Sequence, residues 1–153
     1  MALTCALASA ISAPAALAQT ATPAMPATMD AGMAADASLY RALGEKSGID
    51  GLTDDFVVRL KADPRIGAMF QNTDLNRLSR QLADQFCMVS GGPCKYSGAD
   101  MQSAHANLDV RKGHFNALVE DLQAAMDARK IPFATQNQLL AKLAPMHRDI
   151  IAQ

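Results

Sequence analysis

The chain has 153 residues, half of them hydrophobic, and a formal net charge of -1, a size that fits one domain. So small a charge excludes a general polyanion binder, and 5% aromatics without Trp exclude a stacking platform for single-stranded nucleic acid. Three cysteines are too few for a disulfide scaffold and wrongly spaced for a four-ligand zinc site.

The charge is unevenly distributed, because all 14 basic residues lie at Arg41 or beyond. Ala2 to Ile11 is an apolar run of small residues, too short to span a bilayer as a helix. Ala16-Leu17-Ala18 then presents the small-x-small pattern of a signal-peptidase site. Residues 1–18 therefore read as a secretory signal, although no basic residue precedes the apolar run, and the expected location is the periplasm. Cys5 stands too close to Met1 for a lipid-attachment cysteine. Residues 19–37, rich in Ala, Thr, Pro and Met, read as a flexible linker. The domain itself is expected over residues 38–153.

Within it the periodicity is helical throughout. Ile49, Leu52, Phe56 and Leu60 recur at spacings of three and four, as the buried stripe of a helix does, and Pro64 stops that helix. Thr73 or Asp74 caps a second helix carrying Leu75, Leu78, Leu82 and Phe86, which Gly91-Gly92-Pro93 terminates. A stretch without clear periodicity, from Cys94 to Asp109, contains Tyr96, Gly98, Met101 and His105. So long an irregular connection in a compact domain points to function. Phe115, Leu118, Leu122 and Met126 mark a third helix. Thr135 is the candidate cap of a fourth, with Leu139, Leu140, Leu143 and Ile150 interrupted by Pro145. The expected fold class is all-α.

Taken in order, Ser38-Leu39-Tyr40, Leu43-Gly44, Asp55-Phe56, Ala62-Asp63, Phe70, Arg77-Leu78, Gly91-Gly92-Pro93, Tyr96-Ser97-Gly98, Met101, Ala104-His105 and His114-Phe115 form a recurring pattern. In these residues, from about Ser38 to Ile151, the chain resembles the group I truncated haemoglobins, haem proteins with a two-over-two helical sandwich. The resemblance implies that His105 is the proximal ligand, its neutral imidazole holding the haem iron. Phe70 corresponds to the family's haem-facing phenylalanine. Phe56, Leu78, Leu82, Phe86, Met101, Val110, Phe115, Leu118 and Leu122 would complete the apolar wall, and Arg77 and Arg80 suit the propionates. His114 and His147 read as structural or solvated. No C-x-x-C-H segment occurs, so the haem expected is a non-covalent haem b.

The chain departs from the family pattern on the distal side. Where well-known members carry a Tyr and a Gln that hold bound oxygen, this chain has Val57 and Leu82, and Leu78 adds a third apolar group. Gln81 and Gln85 flank Leu82, and Gln81, the nearest candidate for a sixth iron ligand, is a poor one. Five-coordinate ferrous iron and weakened oxygen binding are therefore expected. Near His105 a usual Gly-Leu-Gly is replaced by Asn107-Leu108-Asp109, and Glu45 replaces a glycine after Gly44. Asn and Asp tolerate positive φ, so the same turn near His105 remains accessible.

With the signal removed, Cys87 and Cys94 remain, and an exported protein would join them in a disulfide, the alternative being two packed thiols. The function expected is reversible binding of a diatomic gas, whether oxygen, nitric oxide or carbon monoxide. Nitric oxide dioxygenation or peroxidase-like chemistry with an unidentified reductant is the enzymatic alternative, and a haem-free interaction domain is a third. Neither a nucleic acid nor a membrane span is expected, and the protein should be a monomer or weak dimer.

Overall fold

The computed structural model describes residues 31–151, with side chains from residue 37 onward; the signal assigned to 1–18 and most of the linker lie outside the described residues. Seven α-helices follow in order: α1 (Ala31–Ala42), α2 (Glu45–Ala62), α3 (Leu75–Val89), α4 (Met101–His105), α5 (Lys112–Ala128), α6 (Phe133–Leu143) and α7 (His147–Ile150). Two 3-10 turns, Gly67–Phe70 and Ala144–Met146, complete the set, and no strand occurs among the described residues. None of the described helices is long and apolar enough to cross a membrane.

The four long helices expected from periodicity are α2, α3, α5 and α6. In α2, Ile49, Leu52, Phe56 and Leu60 are all buried. The helix closes at Asp63, whose extended conformation (φ -69°, ψ 120°) is the one a following Pro64 enforces. Asp74, rather than Thr73, caps α3: its carboxylate accepts from the Arg77 backbone N–H at 3.1 Å. At the other end Gly91 takes φ 84°, and the N–H groups of Gly92 and Gly91 donate to the Cys87 and Met88 carbonyls at 2.8 and 3.2 Å. That pair of bonds ends a helix on a left-handed glycine.

α1 begins at Ala31, ahead of the domain start expected at Ser38. Two expectations need correction. α6 begins at Phe133, so Thr135 is a buried first-turn residue rather than its cap; the Pro132 carbonyl accepts from the Thr135 and Gln136 N–H groups at 2.9 and 3.0 Å. The stretch from Cys94 to Asp109 is not wholly irregular, since it contains α4, whose five residues are too few to display a period.

α2 forms its most extensive contact with α3 and its next with α5, while α4 packs on α7. The core lies chiefly among the long helices. Phe56 of α2 stacks on Phe86 of α3, ring centroids 6.4 Å apart, with Leu122, Ala125 and Met126 of α5 in the same cluster. A buried polar pin accompanies it. The Ser79 hydroxyl donates to Asp54 Oδ1 at 2.6 Å and lies 3.1 Å from Thr53 Oγ1.

Two sequence motifs distant from one another meet here. Tyr40 N–H donates to the Ser90 carbonyl at 3.1 Å, and a Cβ on Gly92 would stand 2.6 Å from the Tyr40 ring and 2.6 Å from Cys87 Sγ. Glu45, at φ 56°, occupies the left-handed region where the family pattern has glycine. That conformation costs a residue with a Cβ roughly 1–2 kcal/mol.

Candidate haem site

α4 is built to hold one side chain. Its N-cap is Asp100, whose carboxylate accepts from the Ser103 backbone N–H at 2.8 Å and from the Ser103 hydroxyl at 2.7 Å. These bonds, backbone first, keep the Asp100 carboxyl below the usual carboxylate range. His105 closes the helix. Its Nδ1 lies 2.8 Å from the Met101 carbonyl oxygen. A carbonyl only accepts, so Nδ1 carries the proton and the Nε2 lone pair is left for another partner. Holding one ring nitrogen by a carbonyl fixes the orientation and tautomer that a metal-ligating histidine needs.

The chain leaves α4 through a turn in which Asn107 and Asp109 adopt φ 66° and 46°. Asn and Asp thus reproduce the turn for which glycines are the usual choice. Arg111 clamps it by pairing with Asp109 at 2.6 Å. On the entry side Cys87 and Cys94 are joined by a disulfide, their Cα atoms 5.7 Å apart. Tyr96 donates its hydroxyl to the Ala99 carbonyl at 2.8 Å, and burial together with the Asp100 carboxylate raises its pKa. Its ring leaves no room at Gly98, where a Cβ would sit 2.4 Å from the Tyr96 hydroxyl. The Tyr-Ser-Gly motif is therefore a turn folded under an aromatic ring.

The expected wall residues divide into two groups by exposure. Phe56, Val57, Phe86, Val110 and Leu122 are buried in protein. Phe70, Leu78, Leu82, Met101, Phe115 and Leu118, together with Gln81 and His105, are only half-buried. The half-buried set spans the 3-10 turn at Gly67–Phe70, α3, α4 and α5. Apolar side chains left partly open in this way are what contact with a flat apolar guest requires. Arg77 and Arg80 are exposed near the start of α3. His114 accepts from the Arg111 backbone N–H at 3.3 Å at the start of α5, and His147 meets the edge of Phe115 at 4.7 Å between centroids. Gln85 does not stand with the half-buried Gln81. It is buried, with its amide nitrogen against Met101 Sδ and Met146 Sδ. Sequence patterning singled out neither Met146 nor the Ser79–Asp54 pin, since each depends on a partner remote in the chain. Among the described residues no cluster of three or more His, Cys, Asp or Glu side chains could hold a metal ion by itself.

An all-helical globin with one oriented histidine is the class of protein these features define. The chain belongs to the bacterial-like globin family, whose pattern it matches over residues 38–152, and within it to the group 1 truncated haemoglobins. It is 30% identical over 114 residues to a group 1 truncated haemoglobin of Mycolicibacterium paratuberculosis, covering 74% of this chain and 84% of that one. The crystal structure of truncated haemoglobin from Tetrahymena pyriformis in its Fe(III) form superimposes with a TM-score of 0.72 at 27% identity, covering 75% of this chain and 98% of that one. The 2/2 haemoglobin of Synechococcus, solved with covalently attached haem, shares the fold with a TM-score of 0.70 at 22% identity over 75% of this chain and 98% of that one.

Proposed function

We propose that the protein binds haem b non-covalently through His105 and takes up a diatomic gas reversibly. The observation that carries this reading is the Nδ1 contact of His105 with the Met101 carbonyl, which commits one ring nitrogen and leaves Nε2 as the ligand atom. When bound, haem supplies the iron at which the gas is taken up. Phe70, Leu78, Leu82, Phe115 and Leu118 would cover its faces with hydrocarbon, and Arg77 and Arg80 would pair with its carboxylates. Phe56, Phe86, Val110 and Leu122 would back that first layer.

On the distal side Val57, Leu78 and Leu82 offer no N–H or O–H. A hydrogen bond to a charged group contributes roughly 1.5–3 kcal/mol, so oxygen should leave this protein faster than it leaves members with the Tyr and Gln pair. None of these three side chains titrates, which favours gas binding over peroxide cleavage. Residues 1–18 are read as an export signal, and the Cys87–Cys94 bond is in keeping with an oxidising compartment.

The ferrous, gas-free absorption spectrum tests the assignment. A five-coordinate spectrum is expected from the wild-type protein and its loss from His105→Ala, whereas an unchanged spectrum in that variant overturns His105 as the ligand. Haem extracted intact by acidic organic solvent supports non-covalent attachment.

A further inference from the structure

We infer that Gln85 is a positioning residue for the proximal histidine, acting across the fold from α3 through Met101. The inference rests on the reading of His105 as the haem ligand. Leu78, Leu82 and Gln85 are spaced by four and three residues and so share one face of α3. That face is half-buried and apolar at Leu78 and Leu82, and becomes fully buried at Gln85, which retains 6% exposure. A buried amide is costly unless its polar atoms are engaged. Here the Gln85 amide nitrogen lies 3.5 Å from Met101 Sδ and 3.2 Å from Met146 Sδ. The nitrogen, which carries two N–H groups, thus stands against two thioether acceptors. The reverse orientation would set the amide oxygen against two sulfurs that can only accept, so the nitrogen is the atom that must point there.

Met101 opens α4, and its carbonyl is the acceptor that orients His105 Nδ1. Met146 ends the 3-10 turn that leads directly into α7, the helix on which α4 packs. One side chain on α3 therefore grips α4 at its first residue and also grips the approach to α4's packing partner. α4 has no fully buried residue of its own, so its placement depends on such contacts. A Leu at position 85 would fill the space but would leave both sulfurs without a directional donor. The polar choice ties the first residue of α4 to α3, and with it the backbone carbonyl that orients the imidazole.

The test is resonance Raman spectroscopy of the ferrous, gas-free holoprotein, read at the iron–histidine stretching band, together with the rate of haem transfer from the ferric protein to an acceptor globin. Gln85→Met keeps the length and packing of the side chain and removes both donors. It should shift or broaden the band and speed haem transfer by about threefold to tenfold, less than the roughly 10–100-fold typical of losing a group hydrogen-bonded directly to a metal ligand. Met101→Leu, which preserves the backbone carbonyl, should move the band in the same direction. The double variant should add little to either single change, as contacts in series require. A band unmoved in Gln85→Met or in Met101→Leu overturns the proposal, as does strict additivity in the double variant. Absence of an iron–histidine band from the wild-type protein itself overturns the ligand assignment, and the role of Gln85 with it.

Discussion

α3 and α4 both contribute to the candidate site, but they are held by opposite means. α3 has 15 residues and buries Ala83, Phe86 and Cys87 in the central cluster. α4 has five residues and buries none fully. Hydrocarbon burial therefore fixes α3, whereas α4 is held by its Asp100 cap, the disulfide behind it, the Gln85 amide against Met101 and its packing on α7. The side that carries His105 can accordingly be altered by polar changes that leave the core intact.

The largest expected effect is on the core. Phe86→Ala should lower unfolding free energy by about 3–5 kcal/mol, measured by urea denaturation, because Phe86 is 2% exposed and stacks on Phe56. Replacing both cysteines by serine should cost about 2–3 kcal/mol in the chain-entropy model. In that variant haem transfer should accelerate more than stability alone accounts for, since the bond anchors the segment leading to His105. Haem transfer that follows global stability in both variants would erase the distinction between the helices.

Leu82→Gln places a donor on the distal face of α3, and should slow oxygen release by about one to two orders of magnitude in stopped-flow measurements. The iron–histidine band should stay put, because nothing on α4 has changed. The smallest effect concerns the cap. Asp100→Ala should speed haem transfer severalfold at neutral pH. The Asp100 carboxyl is held below its ordinary range by its bonds to Ser103, so its contribution is complete above that range and is lost as pH falls through the lowered value. Wild type and variant should therefore converge in acid, and a difference that persists there would assign the effect to something other than the ionised cap.

Much of the fold is legible in the residue order. The stripes Ile49–Leu60 and Leu75–Phe86, Asp74 at a helix start, and Gly91-Gly92-Pro93 at a helix end are local signals, and they correspond to α2 and α3. α4 escapes notice because five residues cover little more than one helical turn. The true start of α6 escapes because a proline before a helix marks a boundary without fixing which residue supplies the first acceptor. The site is legible only in part. His105 follows from its place in a family pattern, but the carbonyl that sets its tautomer depends on a turn of helix that periodicity does not reveal.

The amino-acid sequence by itself determined the all-helical class and the order of the long helices, and its resemblance to a family singled out His105 as candidate ligand and Val57, Leu78 and Leu82 as candidate distal residues. The helical class and the helix order follow from composition and from spacings of three, four and seven residues, which act within one or two turns, whereas the distal residues and His105 are what the resemblance to the group I truncated haemoglobins implies. Tertiary structure alone decided that Tyr40 lies against Gly92, that Ser79 reaches Asp54 25 residues away, and that Gln85 meets Met146 61 residues away. It also decided which apolar side chains are sealed in the core and which remain half open. The reason is physical: a helical period specifies which face of a segment is apolar, but not what that face will touch. Directional contacts between polar atoms remote in the chain exist only once the helices have packed.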